Sequence, residues 1–144
     1  MNVDGPVALV DTDVYSALFV SVSGARRRGA AVEGWRSRLA GHRIVISFQT
    51  RAEILVGAQM AEWGERRVLA LLEELDSTPT IGLDETVLQS YVSLTAACRA
   101  MGHALQAKQH TADRWIASCA VAKSVPLLSG DGIYHGAPRL ALLP

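Results

Sequence analysis

The chain has 144 residues, 49% of them hydrophobic, and its 14 basic and 14 acidic residues cancel. That length and apolar content suit a single globular domain, 1–144, with a real core, and exclude a disordered chain. Zero net charge excludes a simple electrostatic sponge for nucleic acid, and leaves open a site where segregated charge or a metal ion alters the local balance.

The apolar runs are short, so no membrane-spanning helix is expected. The opening residues MNVDGPVALVDTD have neither a basic start nor a cleavage site behind a long apolar run, so no signal peptide is expected. Cys98 and Cys119 lie far apart and outside any C-x-x-C, which reads as two buried thiols rather than a disulfide or a zinc site. A cytoplasmic address fits all three observations.

In chain order, residues 6–10 read as a short buried strand, and Asp13 to Val20 as a helix with Thr12 as its cap. Residues 21–29, with Arg26-Arg27-Arg28, read as a mobile loop whose arginines are either solvated or a contact for RNA phosphates. Val32, Trp35 and Leu39 have helical spacing over 30–40. RIVISF, Arg43 to Phe48, is a β-branched strand. Helices are expected over 50–62 and 65–76, broken near Gly64, then a third strand over Thr78 to Leu83. Asp84 caps a long helix reaching about Ala104, and Thr111 caps another ending near Ser124. Val125 to Ser129 is a fourth strand, and Arg139 to Leu143 adds a fifth at an edge. The alternation predicts an α/β fold with a central parallel sheet of four to five strands and helices on both faces. In such sheets a site lies beyond the carboxyl ends of the strands.

Four carboxylates are placed for that edge. In VALVDTDVY, Asp11 ends the first strand; in LLSGDGIY, Asp131 follows the fourth. In TADRWIASCAVA, Asp113 precedes Ile116, Ala117 and Ala120 by three, four and seven residues, an apolar stripe that turns it inward. Glu53 has the same spacing to Val56, Gly57 and Met60. An inward carboxylate is costly unless paired, protonated or bound to metal. Pairing with Arg51 or Arg114 is the structural alternative. Four acids with only two lysines in the chain, Lys108 and Lys123, suit hard divalent ions. Two such ions about 3.5–4 Å apart can clamp a phosphodiester and activate water.

LVDTDVYSAL, FQTRAEILVG and TADRWIASCAVAKSVPLLSGDGIY, in that order, resemble the PIN-domain ribonucleases, and especially the VapC-type toxins of bacterial toxin–antitoxin pairs. The resemblance implies a PIN-like α/β/α sandwich and hydrolysis of RNA with Mg2+ or Mn2+. It also implies a homodimer and a small antitoxin protein that blocks the cleft. Asp11, Glu53, Asp113 and Asp131 match the family's acidic quartet, with Asp13 and Ser129 at supporting positions. Ile133 stands where the family often has a further carboxylate, so no extra metal contact is expected there.

Two rival readings have their own residues. DTDVY is also similar to the D-x-D-x-[TV] motif of haloacid-dehalogenase phosphatases, with Asp11 as nucleophile and Asp13 as acid–base. That reading has Tyr15 at the fifth position, Lys123 as a poor phosphate-binding lysine, and no use for Glu53. The other reading is a catalytically silent PIN-like binding module, against which stands the presence of all four acids. His110 reads as a capping or surface residue, or a contact for the scissile phosphate. Trp35, Trp63 and Trp115 read as packing residues in helices.

Overall fold

The structure is a computed structural model that describes residues 5–144, apart from the side chains of Val22 and Arg27. Four strands form one parallel sheet: β1 (Val7–Val10), β2 (Arg43–Ser47), β3 (Thr80–Ile81) and β4 (Leu127–Leu128), in the order β3-β2-β1-β4. Register is set by Ala8 beside Ile44, Leu9 beside Leu127, and Ile46 beside Thr80.

Successive residues of these strands enter different cores, as the period of two requires. Ala8, Val10, Ile46 and Leu128 pack with α1 (Thr12–Tyr15), α3 (Ala30–Leu39), α4 (Phe48–Met60) and α5 (Glu65–Asp76). Leu9, Val45 and Leu127 pack with α6 (Glu85–Met101) and α7 (Thr111–Lys123) on the other face. Both faces are covered, which explains why VALV is apolar throughout instead of alternating. From β1 the chain adds strands on one side through β2 and β3, then crosses to place β4 on the other. The carboxyl ends of β1 and β4 therefore flank a topological switch point, where a crevice opens.

Several boundaries differ from the sequence expectation. The segment read as a loop contains helix α2 (Val22–Arg28), because VSGARRR holds no proline and its alanine and arginines favour helix. It is tied down by Arg28, whose guanidinium is 3.2 Å from Asp13 and 5.9 Å from the centre of the Trp35 ring. The cap of α1 is Asp11, not Thr12, and the helix continues as a π-helical turn over Ser16–Val20. Thr111 is the first residue of α7, with His110 at the cap position. Beside β3, Pro79 lacks an N–H, so the strand keeps only two residues. The expected fifth strand is a single parallel bridge, Leu127 to Leu142. Pro138, the left-handed φ of 65° at Arg139, and Pro144 bracket it and stop a ladder from extending. None of the described helices is long and apolar enough to cross a membrane.

Candidate active site

Asp11 leaves β1 at the switch point. Its backbone N–H donates to the Leu128 carbonyl at 3.1 Å, which joins it to the end of β4. Its side chain caps α1 by accepting from the Val14 N–H at 3.0 Å, and its second oxygen accepts a short hydrogen bond from Ser129 Oγ. Only 6% of the residue is exposed. Burial pushes its carboxyl up to about 6, repulsion from Asp13 and Asp131 adds to the rise, and the bonds from Ser129 and Val14 oppose it.

Ser129 extends the chain of contacts to Asp131. Its Oγ accepts the Asp131 N–H at 2.9 Å, while Asp131 caps the next turn by accepting from the Ile133 N–H at 3.0 Å. The glycine between them is there for space. A Cβ on Gly130 would lie 2.8 Å from Cζ2 of buried Trp35, so the indole seats the loop that carries Ser129 and Asp131.

Asp113 arrives from the first turn of α7, whose Ile116, Ala117 and Ala120 are buried as the spacing predicts. One of its oxygens lies 3.0 Å from His110 Nδ1, and the other accepts from the Tyr134 hydroxyl at 3.3 Å. Tyr134 is 2% exposed. Its hydroxyl is held far above the usual phenol range by burial first, then by Asp113, Asp11 and Asp131. The phenol thus meets Asp113 across 21 residues of sequence.

Glu53 is linked less directly. Thr12 Oγ1 donates a short hydrogen bond to Glu53 Oε2 and lies 3.0 Å from Thr50 Oγ1, and Gln49 Nε2 donates to Glu53 Oε1 at 3.2 Å. The stripe used to turn Glu53 inward is not the buried one: Val56 is 56% and Met60 77% exposed. The buried face of α4 is Thr50, Ile54 and Ala58. Glu53 lies one residue from that face and is tied to the hydroxyl of Thr12, the neighbour of Asp11; the same hydroxyl also meets Thr50. Asp13 points to the rim, where it is exposed and paired with Arg28.

The arginines expected as partners for these acids are engaged elsewhere. Arg51 pairs with Asp76 at 2.8 Å, and Arg114 donates to carbonyls and hydroxyls. Lys123 pairs with Asp84 at 2.6 Å, at the far end of α7. The crevice therefore holds carboxylate and hydroxyl oxygens with no lysine or arginine bonded to Asp11, Glu53, Asp113 or Asp131 in any described ion pair. Among the described residues, no group of three or more His, Cys, Asp or Glu forms a ready metal cage. In kind, though not as a closed cage, the donors fit a hard divalent cation, which takes oxygen ligands and keeps several waters. A buried carboxyl raised to about 6 is a group that an added cation would relieve.

Three contributors lie outside what the sequence predicts: Tyr134 as the donor to Asp113, Thr12 as the partner of Glu53, and Trp35 as the seat of the Gly130 loop. Only Thr12 had a local signal, as the hydroxyl residue between Asp11 and Asp13.

A family model described as PIN domain matches residues 8–139. No curated protein matches the sequence. The fold resembles VapBC2 from Rickettsia felis bound to a DNA fragment from their promoter, with TM-score 0.68 and 19% identity over 94% of this chain and 96% of that one. It resembles FitAcB from Neisseria gonorrhoeae with TM-score 0.67 and 21% identity over 96% and 97% of the two chains. For VapBC-1 from nontypeable Haemophilus influenzae the values are 0.70 and 19%, over 94% and 96%. These identities speak for the fold, and the family match over most of the chain displaces the haloacid-dehalogenase reading, which also lacks its lysine at the crevice. The chain belongs to the PIN-domain family.

Proposed function

We propose that this PIN domain is a metal-dependent endoribonuclease and the toxin of a VapC-type toxin–antitoxin pair. The observation that carries the reading is the chain of hydrogen bonds from Asp11 through Ser129 to Asp131 at the switch point of a parallel sheet, with Asp113 bonded to Tyr134 and no lysine or arginine in a described ion pair with any of these acids. Asp11, Glu53, Asp113 and Asp131 are the proposed holders of Mg2+ or Mn2+. A divalent cation bound there supplies Lewis acidity toward a phosphodiester.

The remaining work falls to the chain. Ser129 and the α1 N-terminus hold Asp11 in one orientation; Tyr134 and His110 hold Asp113; Thr12 and Gln49 hold Glu53. Preset carboxylates avoid reorganisation when the substrate phosphate arrives. No side-chain nucleophile is required, so water is the attacking group, and the products are a 5′-phosphate and a 3′-hydroxyl. A protein antitoxin as partner, a homodimer and a cytoplasmic location belong to the same proposal. The printed descriptions of VapBC and FitAcB relatives as assemblies support the first of these. Exposed Phe19, Val56, Met60 and Leu69 offer apolar surface of the kind protein partners cover.

The test is RNA cleavage by the purified protein with Mg2+, with Mn2+ and with EDTA, comparing the wild type with Asp113→Asn. Cleavage confined to the wild type with metal supports the reading. Undiminished cleavage by Asp113→Asn, or cleavage in EDTA, rejects it. A well-folded wild type that binds RNA or a partner without cutting makes the protein a silent binding module.

A further inference from the structure

Arg114 follows Asp113 on α7 and is 5% exposed, yet none of its hydrogen bonds is to an acid. A buried guanidinium without an anion is expensive unless its donors are all used. Four bonds are made. Nη1 donates to the carbonyls of Leu105 and Ala107, each at 2.7 Å, and Nη2 to the Tyr91 hydroxyl at 3.1 Å and to Thr111 Oγ1 at 3.3 Å. The buried Nε has no partner.

Of the two short 3-10 turns that lead into α7, Ala104–Gln106 and Lys108–His110, those bonds hold Leu105 in the first and bracket the second between Ala107 and Thr111. The gripped segment ends at His110, whose Nδ1 holds Asp113. The same guanidinium reaches α4. Tyr91 stacks on Trp115 with ring centres 3.9 Å apart, and Trp115 meets the edge of Phe48 at 5.7 Å. Phe48 is the first residue of the helix that carries Glu53.

We propose that Arg114 is a positioning residue for the candidate site. By clamping residues 105–111 it fixes His110 against Asp113, and through Tyr91, Trp115 and Phe48 it fixes α7 against α4. The inference rests on the proposed ribonuclease reading for its effect on cleavage. Its effect on the His110–Asp113 contact is independent of that reading. Only a planar fork spans two carbonyls and two hydroxyls at once, so lysine, with the same charge, does not replace it.

The experiment compares wild type, Arg114→Lys and Arg114→Met, with Tyr91→Phe as a variant that keeps both carbonyl clamps. Three readouts are taken on folded protein: the imidazole 15N shifts of His110 without metal, Mn2+ affinity by calorimetry, and kcat and KM on RNA. In both Arg114 variants, His110 should show the pattern of an imidazole free of a carboxylate, and kcat should fall about a hundredfold, the cost of an ångström-scale misplacement. KM should stay within about threefold, since the clamp does not touch RNA. Mn2+ affinity should weaken, and Tyr91→Phe, which keeps the carbonyl clamps but loses the guanidinium's bond toward α4, should keep wild-type His110 shifts with a smaller fall in kcat than either Arg114 variant. Should Arg114→Met fail to fold, Arg114→Lys carries the test. Wild-type His110 shifts and kcat in a folded Arg114 variant overturn the proposal. A wild type that does not cleave RNA rejects the ribonuclease reading instead, and the His110 shifts then decide the role of Arg114.

Discussion

Replacing Asp11 by asparagine should stabilise the metal-free protein at neutral pH while removing activity. The Asp11 carboxyl rises from 3.8 to about 6 on folding, chiefly because it is buried. At neutral pH the folded state must hold a charge it disfavours by about 3 kcal/mol. Below pH 3.8 both states are protonated and nothing is lost. As pH rises from 3.8 to about 6, the unfolded chain releases its proton before the folded one, so stability falls across that window and stays low above it. Asparagine resembles the protonated acid and still accepts from Val14, but turns an amide toward Ser129 and gives back part of the gain. The expected net is about 1–3 kcal/mol, or roughly 3–9 °C in Tm for a chain of this size. Thermal unfolding in EDTA at pH 3.5 and at pH 7 measures it: the variant should gain at pH 7 and be close to wild type at pH 3.5. A variant less stable than wild type at pH 7, or a gain of equal size at both pH values, refutes the burial argument.

Gly130→Ala places a methyl group 2.8 Å from Trp35 and should cost about 1–3 kcal/mol in calorimetry, with reduced RNA cleavage because Ser129 and Asp131 flank the displaced residue; an unchanged Tm contradicts the seating role given to Trp35. Tyr134→Phe removes the donor to Asp113 and should cost about 1 kcal/mol, with cleavage that is lowered but above that of Asp113→Asn. Cleavage as low as that of Asp113→Asn would mean that the phenol does more than hold the acid.

The parts of the site that were legible from sequence are those whose position is local. An apolar run ending in an acid places Asp11 at the end of β1, Asp131 follows β4 by three residues as the cap of the next turn, and the Ile116-Ala117-Ala120 stripe is the buried face of the helix that opens with Asp113. For Glu53 the predicted stripe is not the buried one. Hydropathy favoured Val56 and Met60, but α4 buries Thr50, whose hydroxyl is satisfied by Thr12 and Ser47, and a hydrogen-bonded threonine is as easily buried as an aliphatic residue. The α2 helix was missed because serine and glycine suggest a loop, while its anchor, the contact of Arg28 with Asp13, joins residues fifteen apart. Tyr134, Trp35 and Arg114 act across the fold, through contacts that no periodicity in the chain encodes.

The central claim is that carboxylates from remote segments share a divalent cation at the switch point between β1 and β4. Anomalous diffraction from a crystal soaked in Mn2+ tests it most directly. The expected result is a peak within about 2–2.3 Å of carboxylate oxygens of Asp11 and Asp113, absent from Asp11→Asn crystals. Manganese found only at surface acids such as Asp76 or Asp84, with the crevice empty at saturating concentration, would contradict it.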